Sequence, residues 1–119
     1  MTLVVDLFDP SSDSYSYLNA IEYDAAGLES YRTKLWGSQS LIRRGARYFP
    51  KLKDGDLFVY PEELDLLANE CQMIYADSVA IAQEIWCNKA QSARIQIYME
   101  RFLSAIDLAK QRNAGVCIS

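Results

Sequence analysis

The sequence contains no histidine. That removes the imidazole base, the Ser–His–Asp triad and every histidine-ligated zinc site. Cysteine is sparse: Cys71, Cys87 and Cys117 only. The number is odd, the spacings are wide and no CxxC occurs, so no disulfide framework is expected. The three read as reduced thiols, and none has a histidine to activate it as a nucleophile. The phosphate-cradling patterns GxxxxGK[ST] and GxGxxG are missing. Asp54-Gly55-Asp56 has two acids around a glycine, but the other oxygen ligands of a calcium loop are not at their positions, so it reads as a turn. No cofactor or metal is expected. No stretch approaches the roughly 18 apolar residues of a membrane span. The opening MTLVVDLFDP lacks the basic start of a signal peptide, so no membrane association and a cytoplasmic location are expected.

What is present is an ordinary globular composition. The chain has 119 residues, 50% of them hydrophobic. That fits a single domain over residues 1–119 with one core.

Residues 2–8, TLVVDLF, read as a short strand followed by a turn-rich loop. Residues 15–23 fit either a second strand or a helix. The abundance of Tyr and Ile tips the reading toward a hairpin. Asp24 can cap a helix carrying Leu28, Tyr31 and Leu35, which Gly37 stops. Ser38 can cap a further segment with Leu41, Ile42, Gly45 and Tyr48–Phe49 on one side, ended by Pro50. Leu57–Tyr60 can form a brief extended piece. Pro61 then opens a long helix. Its stripe is Leu64, Leu67, Cys71, Ile74, Ser78, Ile81 and Ile85, and the helix is predicted to run unbroken to about Trp86 as the longest element. Asn88 starts the last helix, with Ile95, Tyr98–Met99, Phe102, Ala105–Ile106 and Ala109 inward and Gly115 as its terminator. The final GVCIS is extended or frays. The predicted fold is mainly α. It is a three- to four-helix bundle around a long antiparallel pair, with a small N-terminal β-hairpin as an option and α+β as the runner-up.

Charge is sorted along the chain, whose net charge is −4. Residues 1–31 hold six acids and no base, residues 32–53 seven bases and no acid, and residues 54–84 eight acids and no base. The leading reading is internal pairing of the second block with the third. The competing reading offers Arg43, Arg44 and Arg47 to an acidic partner. Nucleic acid is the least expected partner, because an acidic chain repels phosphates and no nucleic-acid motif occurs. Glu63, Glu70, Asp77 and Glu84 recur every seven residues, a line beside the apolar seam. It reads as a solvated stripe that can also reach Arg43, Arg44 and Arg47.

Aromatic side chains supply the remaining candidates. Trp36, Tyr23 and Tyr31 join the three arginines as binding residues, since Tyr and Trp bring large area at low entropic cost. No catalytic residue stands out, and no motif identifies a family. The leading functional expectation is a non-enzymatic protein that binds another protein or a second copy of itself. One alternative is an immunity- or antitoxin-like inhibitor whose acidic surface covers a basic partner, an analogy of size and charge alone. Another is a small-ligand binder or enzyme with a carboxylate, Arg and Tyr pocket.

Overall fold

The computed structural model describes residues 3–10 and 27–119 in full and the backbone of residues 17–20. It is mainly α with a small antiparallel sheet. The elements in order are β1 (Val5–Phe8), β2 (Tyr17–Ala20), α1 (Gln39–Arg43), β3 (Leu57–Val59), α2 (Leu64–Ala76), α3 (Ser78–Trp86), α4 (Ser92–Gln111) and β4 (Gly115–Ile118). Short tight turns precede β3, α2 and α4, and a wide five-residue turn, Arg32–Trp36, precedes α1.

The sheet order is β2-β1-β4-β3. The expected hairpin is present as β1 paired with β2, but the C-terminal segment does not fray. It is the strand between β1 and β3. Register explains its burial. Val5, Ile118 and Leu57 stand opposite one another, as do Leu7, Val116 and Val59. These six alternate residues face the helices and belong to the main core. The other face carries Asp6, Cys117 and Phe58 in one row, and Phe8 beside Gly115 in the next.

α4 lies against β1 and β4, and packs on its other sides against α2 and α3. Its direction is opposite to that of α2. Asp65 at the start of α2 pairs with Lys110 near the end of α4, whereas Tyr75 near the end of α2 reaches Glu100. Every residue of the predicted α2–α3 stripe from Leu64 to Ile81 is buried. The helix itself is not continuous. Asp77 sits at φ −95° and ψ 11°, between α2 and α3, so α4, with 20 residues, is the longest element. Two facts account for the break. Asp and Ser are poor interior helix formers, and the Asp77 carboxylate is held by Arg44 at 3.2 Å.

Two helix ends also differ from expectation. α1 stops at Arg43 and does not reach Phe49, because Gly45 turns the chain at φ 90°. α4 is closed by Asn113 at φ 53°, not by Gly115. Ala114 N–H donates to Ala109 O at 2.9 Å, and Asn113 N–H to Lys110 O at 3.4 Å. That pair of bonds is a Schellman cap. The predicted caps at Ser38 and Asn88 are present, accepting from Leu41 N–H and Ala90 N–H. Asp24, the predicted cap before Leu28, lies outside the described residues.

Candidate functional site

The carboxylate line keeps the expected reach to the arginines at Asp77 and Glu84, which stay partly exposed, and departs from a solvated stripe at Glu70, which is buried. Glu63, Glu70, Asp77 and Glu84 all meet the segment from Ser40 to Phe49. Glu84 takes a two-pronged contact from Arg44, with Nη2 to Oε2 at 2.7 Å and Nη1 to Oε1 at 3.0 Å. Arg43 adds a contact at 3.2 Å, and the Ser40 hydroxyl donates at 2.9 Å. These partners, Arg44 first, hold the Glu84 carboxyl at about 2, well below the usual range. Arg44 also binds the carbonyl and hydroxyl oxygens of Ser40, both at 2.8 Å.

Glu70 does something different. Its side chain is buried, and its two oxygens accept the backbone N–H groups of Arg47, Tyr48 and Phe49. One carboxylate thus pins three consecutive amides left open after α1. Burial beside Glu63 pushes the Tyr48 phenol up, with desolvation the larger cause.

Between this pinned segment and α2 lies a groove of about 560 Å³. One wall is the chain from Arg44 to Lys51. The other is one face of α2 and the turn before it, with Glu63, Leu66, Glu70 and Met73 at helical spacing. Leu66 is 58% exposed, the most exposed of the large apolar side chains described. The corner at Gly45 is open, with nothing within 4 Å of where a Cβ would stand. Two cations on this rim form no ion pair among the described residues. Arg47 is exposed and forms no ion pair there. The Lys51 ammonium lies 5.2 Å from the centre of the Tyr48 ring.

The candidate binding residues therefore separate. Arg43 and Arg44 are engaged with Glu84 and Asp77. Arg47 lines the groove. Trp36 is 0% exposed. Its ring centre is 5.0 Å from that of Phe49 and 5.7 Å from that of Phe102, so it is a core residue with no surface to offer a partner. Tyr31 is also buried, edge-on to Trp86 and Tyr98, and accepts from Arg94 at 2.9 Å. Tyr23 lies outside the described residues.

Sequence reasoning missed Leu66, Met73 and Lys51. A signal was available for the first two. Leu66 and Met73 are seven residues apart and lie off the buried stripe, so they make a second apolar line on a helix already supplied with one. None of the three cysteines forms a disulfide among the described residues. Cys71 is in the core, where burial pushes its thiol up and keeps it unreactive.

No family model, curated protein or solved structure matches the chain. No helix among the described residues is long and apolar enough to cross a membrane, and no group of His, Cys, Asp and Glu there could hold a metal ion.

Proposed function

We propose that this protein acts by binding another protein, and that the groove between Arg44–Lys51 and α2 is its docking face. The observation that carries the reading is Leu66. A leucine 58% exposed, beside Met73 and below a rigid rim, costs solvation that burial by a partner would recover. The walls are preorganised: Glu70 fixes one to the other through the amides of residues 47–49. A surface that is already ordered loses little entropy on binding.

The small-ligand alternative draws on the same groove, whose volume falls within the usual range for small-molecule sites. Two features favour a protein over a small ligand. Leu66 stands on an open wall, whereas small-ligand sites enclose most of their ligand. The Glu70 carboxylate is committed to backbone amides, leaving it little capacity for acid–base work.

The test is site-directed photo-crosslinking. A photoreactive residue replaces Leu66 in one preparation and exposed Lys89, away from the groove, in another. Crosslinking in the native host should yield one partner from position 66 only. With that partner purified, Leu66→Asp should weaken binding at least about tenfold, and Lys89→Glu should leave it unchanged. Equal crosslinking from both positions, or equal affinity of the Leu66→Asp variant, removes the groove as the docking face. A crosslink only to a second copy of the chain would replace the partner reading by self-association.

A further inference from the structure

We draw no further inference here: the strongest candidate, the groove between residues 44–51 and α2, belongs to the site already described, and nothing in the structure shows what covers it, because the cations Arg47 and Lys51 share its lining with the carboxylates Glu63 and Glu70.

Discussion

Glu70 is the side chain on which the candidate groove depends, and its partners are backbone rather than side chain. A buried carboxylate is costly unless hydrogen-bonded, and this one accepts from Arg47, Tyr48 and Phe49. Glu70→Ala leaves three amides without their acceptor, one of them buried. The expected cost is about 2–4 kcal/mol, measured by urea denaturation. Glu70→Gln should fall between, because its amide offers one acceptor oxygen where two are used. A cost for Glu70→Ala within the scatter of a surface substitution would show that water replaces the carboxylate and that the wall is not pinned. Gly115 makes the opposite point, a residue needed for what it lacks. A Cβ there would overlap the Phe8 ring and come 2.5 Å from the Val59 carbonyl oxygen. Phe8 is fully buried and cannot swing into solvent. Gly115→Ala should therefore cost about 1–3 kcal/mol by overpacking, although alanine is ordinarily tolerated in a strand. A melting temperature equal to the parent's would mean that β4 shifts to make room.

At the scale of elements, α2 and α3 show what periodicity conveys and what it omits. Leu64, Leu67, Cys71, Ile74, Ser78 and Ile81 are all buried, as their spacing of three and four requires. A one-residue irregularity at Asp77 does not disturb which face each helix presents, so the stripe survives the break and gives no hint of it. Ile74 lies one turn before the break, is fully buried, and faces the core. Ile74→Ala should cost about 2–5 kcal/mol. A smaller loss would show that the α2–α3 junction collapses into the space. The sheet was harder to read. GVCIS has no period of its own beyond four residues, and its place between β1 and β3 depends on partners about sixty and more than a hundred positions away. Local pattern carries nothing about such pairing. The candidate site was legible in the same uneven way. Arg47 stands out in the charge block, because basic residues without acids are visible in sequence. Trp36 stands out only by its type, and type does not distinguish a core tryptophan from an interface one. Glu70 could not be told from Glu63, Asp77 and Glu84, since a carboxylate bound to amides looks like any other member of a heptad line.

For the whole molecule, the charge blocks become a device that seats α1 on α3 and the end of α2. Arg43 and Arg44 from the basic block meet Glu84 and Asp77 from the acidic one. Arg32 meets Glu29 and Asp56, linking the same block to its neighbours on both sides. Reversing Arg43 and Arg44 to Glu should destabilise the chain more than neutralising them to Gln, and added salt should narrow the gap. Reversing Arg47 alone should leave the melting temperature nearly unchanged. Equal melting of the Glu and Gln pairs at low salt would show that these contacts do not steer packing. The same network contributes to the response to acid through Glu84. The Glu84 carboxyl is held at about 2, from an ordinary value of 4.5, chiefly by Arg44 and Ser40. Its folded-state value is depressed, so the folded state favours the ionised form. The stabilisation is present in full above about 4.5 and is lost as pH falls from there through about 2. Arginine stays charged throughout, so the loss belongs to the carboxylate. Asp6 opposes it, because burial raises its carboxyl; a raised acid favours the folded chain at low pH and that contribution disappears as pH rises. Comparing the parent with Glu84→Gln cancels Asp6, which both chains retain. The parent's urea midpoint should exceed that of Glu84→Gln above pH 4.5 and converge toward it between pH 4.5 and 2. Midpoints that differ by the same amount across that window would show that Arg44 does not hold the Glu84 proton off in solution.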